Sequence, residues 1–585
     1  MAGVVVGALV DAVLPLAIIV TTGQLIERVT TTPSVSDVVG PLAVLAALFT
    51  VQQVVEPVRS VLVYRAASRI DGHLRIRAMT ATSGPAGVAF LEEPDVQDRV
   101  TTAAARSGPF RPATPGGAAV GVVGLVARYA QALGATVLIA QFSVWLAVTM
   151  LVGTLLFRRP QHRESRALAT AFDQHLPAYR RAGYVSSLLL EPHAAKETRV
   201  FGLHDWLMGR HAQLWREVTH AMSALRQRAR RRQGRHYLFM APLNAAAFVV
   251  VGLAALDGRI DLGTLAVVLQ ASMQLLALGS IGFEEYQIDF GTASLPALAA
   301  LEERSAAARA AEPAGHRTGD DLPQQAIRFE GVSFAYPGGR PVFEHLDLTI
   351  PSGASMAIVG ANGAGKTTLM KLLARLYEPS SGRILVDGVD LRELDAASWR
   401  SRLAVIFQDF VRYELPATQN VGFGCLRRMG EPSALGDAAD RAGALDLVER
   451  LPSRWDTVLA RGYTDGADLS GGEWQRVALA RALLAVEGGA AVLALDEPTA
   501  NLDVRAEAEL FEQLLRLTSG TGTDGAGQQV TTLLISHRFS TVRQAQQICV
   551  LDRGRVSEQG THDDLVRAGG TYARMFRLQA ARFDA

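Results

Sequence analysis

Residues 356–373 read Met-Ala-Ile-Val-Gly-Ala-Asn-Gly-Ala-Gly-Lys-Thr-Thr-Leu-Met-Lys-Leu-Leu. The first four residues are apolar and predict a short buried strand, and the last six open a helix. Between them, glycines, a lysine and a threonine have the spacing of a phosphate-binding loop. Because strand, glycine-rich loop and helix follow one another in the required order, this stretch predicts an α/β nucleotide-binding domain.

Each part of the loop has a physical role. The glycines let backbone N–H groups turn inward around phosphates, and the helix N-terminus adds positive potential. Lys366 is expected to reach the β- and γ-phosphates, and the Thr367 hydroxyl to ligate Mg²⁺. The candidate nucleotide-binding residues of this stretch are Gly360, Ala361, Asn362, Gly363, Ala364, Gly365, Lys366, Thr367 and Thr368.

The choice of lysine in the loop is informative. Of the 58 Lys and Arg residues, only Lys196, Lys366 and Lys371 are lysines. A compact ammonium group fits between phosphates, whereas a guanidinium fork does not. Lysine at position 366, in a chain that otherwise uses arginine, therefore indicates a functional requirement.

A second short apolar strand ends in two acids. Residues 492–495 read Val-Leu-Ala-Leu, and Asp496 and Glu497 follow. Such a strand alone is weak evidence, but it lies about 130 residues after a phosphate-binding loop, where it predicts the metal ligand and the base. Asp496 is expected to hold Mg²⁺, and Glu497 to polarise the attacking water.

Composition sets broad limits. A chain of 585 residues is too long for one core, so two or more domains are expected. The net charge of +1 favours neither a nucleic-acid nor an acidic partner and excludes neither, although no nucleic-acid partner is expected. Cys425 and Cys549 do not make a disulfide framework or a metal site, and they fit a reducing compartment.

Long apolar windows occupy the chain up to residue 301. They cover residues 3–22, 38–55, 116–157, 237–256 and 262–283, and the third is long enough for two spans joined by a tight turn. A helix needs roughly 20 apolar residues to cross a bilayer, so six spans are predicted. Buried helices of a large soluble core are the alternative, although such helices usually carry a polar stripe. The first window lacks a basic leading segment, so we interpret it as a retained span and not a signal peptide.

Basic loops orient these spans. Residues 65–111 hold seven arginines and residues 158–235 hold 16 Lys plus Arg, whereas the opposite loops hold one Arg each. Positive loops stay in the cytoplasm, so a multi-pass protein of the cell membrane is predicted, with both termini and the second half cytoplasmic. Nucleic-acid binding by the basic runs is the alternative, but orientation and anionic lipid explain them.

Both basic loops are helical in pattern and contain a proline break, at Pro94 and at Pro192. Each break is a candidate for a short transverse helix that contacts the second half of the chain; a plain helix–helix turn is an equally good interpretation. The predicted domains are residues 1–301 in the membrane, a linker over 302–325 and a nucleotide-binding domain over 326–585.

Further motifs carry a family resemblance. Residues 469–476, Leu-Ser-Gly-Gly-Glu-Trp-Gln-Arg, here called the signature segment, resemble the signature motif of ABC transporter ATPases. Gln408, Asp503, His537 and the aromatic Tyr336 also stand where that family has functional residues. The whole chain resembles a half-transporter of the exporter type: a helical polytopic membrane domain with six transmembrane helices and long cytoplasmic extensions, followed by an α/β P-loop ATPase domain.

The resemblance implies roles for these residues. Tyr336 would stack on adenine, Gln408 would contact Mg²⁺, and His537 would hold the γ-phosphate and orient water together with Glu497. Ser470, Gly471 and Gly472 begin a helix whose N–H groups can bind phosphate. In the family they bind the ATP held by a partner subunit. A dimer is therefore implied, with Asp503 at its contact.

The chain departs from the usual exporter pattern in three places. Glu473 replaces a common Gln, Asn501 stands where exporters carry Ser, and residues 519–528 form a Gly/Thr-rich insertion predicted to be a surface loop. The intact Glu497 and signature segment favour a homodimer, while a heterodimer with a degenerate partner stays open.

Three functions compete. ATP-driven export of an amphipathic peptide, lipid or drug is favoured. An importer of siderophore type on the same fold, and a regulator or channel gated by ATP, are the alternatives. Membrane lipid is expected around the spans. The polar residues in or near the spans are candidates for a substrate path, although Glu284 and Glu285 are expected in a cytoplasmic helix extension. These candidates are Arg128, Gln270, Gln274, Glu284 and Glu285.

Overall fold

The computed structural model of the chain describes residues 2–31, 35–103, 113–174, 176–279, 282–313, 315–498 and 529–580. The chain divides into two compact units. The helical unit comprises Met1–Thr82 and Pro94–Arg304, and the α/β unit comprises Ser83–Glu93 and Ser305–Ala585.

Helices make up the first part of the chain, from residue 2 to residue 311. They are α1 (Ala2–Thr31), α2 (Val35–Ser83), α3 (Ala89–Glu92), α4 (Pro94–Ala103), α5 (Pro115–Phe142), α6 (Val144–Gln174), α7 (Leu176–Leu190), α8 (Ala195–Val200), α9 (His204–Leu256), α10 (Leu262–Gly279), α11 (Phe283–Gly291) and α12 (Leu295–Ala311).

Four helical stretches are long and apolar enough to cross a membrane: Ala2–Thr31, Val35–Ser83, Pro115–Phe142 and Leu262–Ala311. Two shorter apolar stretches, Val144–Leu156 and Asn244–Leu256, lie where the other two spans are predicted. The tight turn predicted within residues 116–157 falls at Ser143, between α5 and α6. The count of six spans stays a prediction.

Small residues hold the helical unit together. Ala135 on α5 and Ala271 on α10 are fully buried, and they pack in one cluster with Leu275, Met150 and Val251. Small side chains let helix backbones approach closely, as in membrane helix bundles. On the outside, Val6, Leu9 and Val13 of α1 are 59%, 62% and 63% exposed, an apolar face typical of contact with lipid.

The chain turns at both predicted proline breaks. At the first break the short helix α3 is followed by α4, which begins at Pro94. The segment around α3 belongs to the α/β unit, where Val88 N–H donates to the Leu376 carbonyl at 3.0 Å and an Arg400 Nη2 donates to the Ala86 carbonyl at 2.7 Å. At the second break a 3₁₀ turn, Pro192–Ala194, precedes α8. A contact of that second turn with the α/β unit stays a prediction.

Helix α12 continues to Ala311, and the first strand begins at Ala326. The stretch predicted as a linker, residues 302–325, therefore begins inside a helix. Ala, Glu and Arg dominate its first part, and these residues have high helix propensity even without an apolar period.

The α/β unit contains two sheets among its described residues. The strands are β1 (Ala326–Ala335), β2 (Pro341–Pro351), β3 (Ser355–Gly360), β4 (Ser381–Val386), β5 (Val389–Asp390), β6 (Leu403–Ile406), β7 (Val492–Asp496), β8 (Thr531–Ile535), β9 (Gln547–Asp552) and β10 (Arg555–Gly560). The helices between and after them are α13 (Lys366–Leu373), α14 (Ala396–Ser401), α15 (Ala417–Gly422), α16 (Pro432–Arg441), α17 (Leu445–Glu449), α18 (Gly471–Glu487), α19 (Phe539–Val542), α20 (His562–Ala568) and α21 (Thr571–Ala580).

The larger sheet positions the site. Its strand order is β10-β9-β3-β8-β7-β6, and β3, β6, β7, β8 and β9 run parallel. Every residue of β3, β7 and β8 is buried, as expected for parallel strands covered on both faces. Because parallel strands end at the same edge, the segments after β3, β6, β7 and β8 meet there, where ligands bind in open α/β sheets.

Candidate functional site

A cavity of about 660 Å³ opens at this edge of the sheet. Residues that follow four different strands line it, although they are widely separated in the sequence. The lining residues are Tyr336, Val342, Asn362, Gly363, Gly365, Lys366, Thr367, Thr368, Gln408, Asp496, Glu497 and His537.

Backbone geometry explains the glycines at the two ends of the loop. Gly365 has a φ of +101°, and a Cβ there would lie 2.6 Å from Cε1 of Phe343. Gly360 has a φ of +156°, and a Cβ there would lie 2.3 Å from the Leu551 carbonyl oxygen. Both positions exclude a side chain, so the loop holds its turn only with glycine.

The Lys366 ammonium group folds back over the loop. Its Nζ donates to the carbonyls of Gly360 at 2.9 Å and Ala361 at 3.1 Å, and the residue is only 8% exposed. Burial lowers the pKa of Lys366, while the nearby Asp496 and Glu497 act in the opposite direction. A phosphate group would complete the partners of this buried cation.

Thr367 and Asp496 form a pair of oxygen donors. The Thr367 hydroxyl donates to Oδ2 of Asp496 at 2.6 Å, and Asp496 is 2% exposed. Burial raises the pKa of Asp496, and the hydrogen bond from Thr367 opposes that rise. Hydroxyl and carboxylate oxygens are the ligands that Mg²⁺ prefers, and a cation here would offset the cost of burying the carboxylate, so these residues fit that metal.

Glu497 is held from several sides. Nε2 of His537 lies 3.0 Å from its Oε1, and Nε2 of Gln408 donates to its Oε2 at 3.3 Å. Its φ is +50°, a conformation that costs energy for a residue other than glycine and is common at functional sites. The side chain of Gln475 donates to the Glu497 carbonyl at 3.2 Å, and Glu497 N–H donates to the Ile535 carbonyl at 2.9 Å.

An aromatic platform closes the other end of the cavity. The Tyr336 hydroxyl is 3.1 Å from the Thr368 hydroxyl, which ties the ring to helix α13. The Lys371 ammonium lies 5.3 Å from the centre of the Tyr336 ring, within cation–π range. The ring of Tyr377 packs edge-on against Tyr336 at 5.2 Å, so the orientation of the platform is fixed.

The signature segment forms a helix N-terminus elsewhere in the unit. Ser470 caps α18, and its N–H donates to Oε2 of Glu473 at 2.7 Å in a capping box. The hydrogen bond from the Ser470 backbone lowers the pKa of Glu473. Ser470, Gly471 and Gly472 are not among the residues that line the cavity.

The structure therefore brings together most, but not all, of the predicted site residues. Gly360 and Ala361 take part through their carbonyls, and Ala364 is a buried residue of the loop itself. Asn501, Asp503 and the insertion at 519–528 lie outside the described residues.

Sequence reasoning missed two residues at the site. Val342 lines the cavity at the start of β2, and no chemical feature of a valine could have indicated it. Gln475 fixes the backbone of Glu497. The sequence offered one indication of this role. Gln475 directly follows Trp474 among the apolar residues of the helix, and a polar amide that is buried there needs a hydrogen-bond partner.

Comparison with known proteins agrees with this geometry. Residues 343–500 match the model of a family described as ABC transporter. The fold of a bacterial Atm1-family ABC exporter, solved with ATP bound, matches with a TM-score of 0.73 and covers 99% of this chain and 98% of the other. At 23% identity this likeness concerns the fold alone.

Two curated relatives illustrate the sequence similarity. The ATP-dependent lipid A-core flippase of Methylococcus capsulatus is 40% identical over 43% of this chain and 40% of its own length. The subtilin transport ATP-binding protein SpaT of Bacillus subtilis is 29% identical over 68% of this chain and 62% of its own length. The chain thus spans less than two thirds of the length of either relative.

The predicted fold class is confirmed: a helical, membrane-type domain precedes an α/β ATPase domain of ABC type. The resemblance to ABC exporters is confirmed by the same matches, and it implies that the α/β unit binds ATP.

Proposed function

We propose that this chain, whose α/β unit belongs to the ABC transporter family of ATPases, is a half-transporter that exports an amphipathic molecule by hydrolysing ATP. One observation carries the proposal: the phosphate-binding loop, the acid pair and His537 line one cavity, and the first part of the same chain contains helices that suit a membrane. The names of two curated relatives, a lipid A-core flippase and a subtilin transport protein, support the choice of export, whereas the fold itself is compatible with either direction.

The site suggests how hydrolysis would proceed. Lys366 and the loop N–H groups would hold the β- and γ-phosphates and stabilise the negative charge that develops between them. Glu497 would accept a proton from the attacking water, and His537 would keep that water in line with the γ-phosphate. Gln475, by holding the Glu497 backbone, would fix the direction of the carboxylate.

Thr367, Asp496 and Gln408 would hold Mg²⁺ in this cavity. The ion, when bound, neutralises part of the charge on the phosphates. The short contact between Thr367 and Asp496 and the burial of Asp496 support the choice of these two residues.

The site needs a second subunit. Ser470, Gly471 and Gly472 present helix N–H groups but do not line the cavity of their own chain. A second copy would place its signature segment over the phosphates, and two nucleotides would lie between two ATPase domains. The intact Glu497 favours a homodimer of this chain.

The helical unit would provide the path across the membrane. We infer six spans per subunit, a multi-pass location in the cell membrane and cytoplasmic ATPase domains, supported by the apolar helices and by the basic loops. Closing the ATPase domains on ATP would move the segments near Pro94 and Pro192, and the path would reopen on the other side.

Direction of flux is the decisive test of export. Inside-out vesicles that contain the protein are expected to accumulate a transported amphipathic dye when Mg²⁺ and ATP are added outside. Accumulation should stop with vanadate and with a non-hydrolysable ATP analogue. ATP-driven loss of preloaded dye from the same vesicles would instead indicate an importer, and hydrolysis without flux in either direction would indicate a gated regulator.

The platform residue Tyr336 can be tested separately. Tyr336→Ala is expected to raise the KM for ATP by about tenfold and leave kcat nearly unchanged, since stacking of a base on an aromatic ring contributes about 1–3 kcal/mol. Tyr336→Phe keeps the ring, loses only the contact with Thr368 and should cost much less. Equal KM values for the alanine variant and the wild type in steady-state assays would exclude Tyr336 from adenine binding.

A further inference from the structure

A charged cavity lies inside the helical unit. Its volume is about 490 Å³, and its charged lining residues are Asp11, Glu56, Arg59, Arg128 and Glu284. An adjoining cavity of about 450 Å³ shares Arg59, Gly124, Phe283 and Glu284 with it and is otherwise largely apolar. Both volumes fall in the range of pockets that hold small organic ligands.

Charged side chains in the middle of long apolar helices are energetically costly, so their presence calls for an explanation. Asp11 is the tenth residue of the 30-residue helix α1, and Arg128 is the fourteenth of the 28 residues of α5. Both helices are long and apolar enough to cross a membrane. Ionisable groups inside such segments generally serve a ligand path or pair with each other.

Pairing accounts for the arginines. Nε of Arg59 lies 2.9 Å from Oδ2 of Asp11, and its Nη2 lies 2.7 Å from Glu56. Arg128 lies 3.2 Å from Glu285 and 3.7 Å from Glu284. Each of these two guanidinium groups therefore has two carboxylate neighbours.

The buried Glu285 anchors this arrangement. It is 1% exposed and contacts both Arg128 and Arg158, the latter only 3% exposed. The triad joins α5, α6 and α11 and holds Arg128 in place, and its formal charge is cancelled only when Glu284, 3.7 Å from Arg128, is counted with it. The expectation that Glu284 and Glu285 lie in a cytoplasmic helix extension stays a prediction, and the contacts of Glu285 show only that its carboxylate is matched among helices α5, α6 and α11.

Two glycines on α5 allow Glu284 to come close to the cavity. A Cβ at Gly121 would lie 2.9 Å from the Glu284 carbonyl oxygen, and one at Gly124 would lie 3.0 Å from Cγ of Glu284. A larger side chain at position 121 would therefore meet the backbone of α11, and one at position 124 would displace the side chain of Glu284. The close approach of Glu284 is therefore built into the sequence of α5.

The charge balance selects the ligand. Among the described lining residues of the two cavities, the carboxylates are Asp11, Glu56, Asp71 and Glu284, and the cations are Arg59 and Arg128. The formal charge is therefore negative by two. A positive ligand would be attracted to such a site and a negative one repelled.

We propose that these joined cavities bind the transported molecule through a positively charged group held near Asp11 and Glu284, with its apolar body in the adjoining cavity. The ligand class is an amphipathic cation: an ammonium, guanidinium or phosphonium group on a hydrophobic frame. This inference rests on the proposed transport function and names the substrate class of that function.

Two ions of the same shape and opposite charge provide the test. Binding of tetraphenylphosphonium and of tetraphenylborate to the purified full-length protein is measured by equilibrium dialysis, without nucleotide, with protein-free micelles subtracted. The phosphonium ion is expected to bind at least about tenfold more tightly than the borate, because its charge is opposite to that of the site. If the wild-type protein bound the two ions with equal affinity, or bound the borate more tightly, this measurement alone would overturn the proposal.

Charge-removing variants locate the site. Asp11→Asn and Glu284→Gln should each weaken phosphonium binding by about tenfold or more, through loss of one charge in a low-dielectric cavity. Glu27→Gln, on an exposed part of the same helix α1, is the matched control and should bind as the wild type does. Wild-type affinity in both cavity variants would contradict the assignment.

The dialysis experiment and the flux experiment test the ligand class and the transport function separately. The dialysis requires no ATP turnover, so charge-indifferent binding in a protein that still drives dye flux refutes only the ligand class. Absence of ATP-driven flux, with the phosphonium ion bound as expected, refutes transport and leaves the cavity assignment standing.

Discussion

Glu497→Gln is expected to bind ATP with nearly wild-type affinity and to lose at least about 99% of ATP turnover, since a positioned general base contributes about 10²–10⁴-fold. The amide keeps the shape of the carboxylate and its contacts with His537 and Gln408, but it cannot accept a proton from water. Binding is measured by titration with a fluorescent ATP analogue, and turnover by phosphate release.

Glu449→Gln is the matched control. The same chemical change there alters an exposed carboxylate at the end of α17, so turnover should stay within about twofold of the wild type. A Glu497→Gln protein that hydrolyses ATP at the wild-type rate would show that another group is the base.

Lys366→Ala and Gly471→Glu are each expected to lower ATP hydrolysis by about 100-fold or more, for different reasons. The first removes the buried ammonium that faces the phosphates, so ATP binding itself should weaken. The second places a negative side chain on the helix N-terminus that would meet the γ-phosphate of the partner's ATP. Its own loop is intact, so single-site ATP binding should persist.

Lys366→Arg separates charge from shape. The Lys366 ammonium is buried and already lies 2.9 Å and 3.1 Å from the Gly360 and Ala361 carbonyls, so a bulkier, planar guanidinium group should not replace it and the variant should also be nearly inactive. Lys196→Arg, at an exposed position of α8, is the control and should be active. Full activity of Lys366→Arg would mean that positive charge alone suffices.

Local patterns were enough to predict the parts of the ATP site. Strand β3 and helix α13 were predicted from the apolar run at 356–359 and the glycine loop after it, and strand β7 from the run at 492–495. Such predictions succeed because each pattern depends only on neighbouring residues. That these parts share one cavity depends on the strand order β3-β8-β7-β6, which no local pattern encodes.

Contacts between distant residues were not predictable. Gln475 holds the carbonyl of Glu497 across 22 positions, and Glu285 lies between Arg128 and Arg158 from two other helices. Sequence alone shows that such polar residues need partners, but the helix packing decides which ones they meet. Residues 302–311 continue helix α12, because Ala, Glu and Arg favour a helix even without an apolar period.

The central claim is that the loop at 360–367 and the signature segment of a second subunit form one site. Lys366→Ala and Gly471→Glu subunits can be co-expressed with different affinity tags, and the mixed dimer purified through both tags. In that dimer one composite site has both changes and the other has neither.

Phosphate release from the mixed dimer is the most direct measurement of this claim. We expect the mixed dimer to recover about half of the wild-type rate, since one of two equivalent sites is intact, while each parent homodimer stays inactive. If each chain instead carried a complete site of its own, every site in the mixed dimer would hold one of the two changes. A mixed dimer as inactive as its parents would therefore show that the site is not shared between subunits.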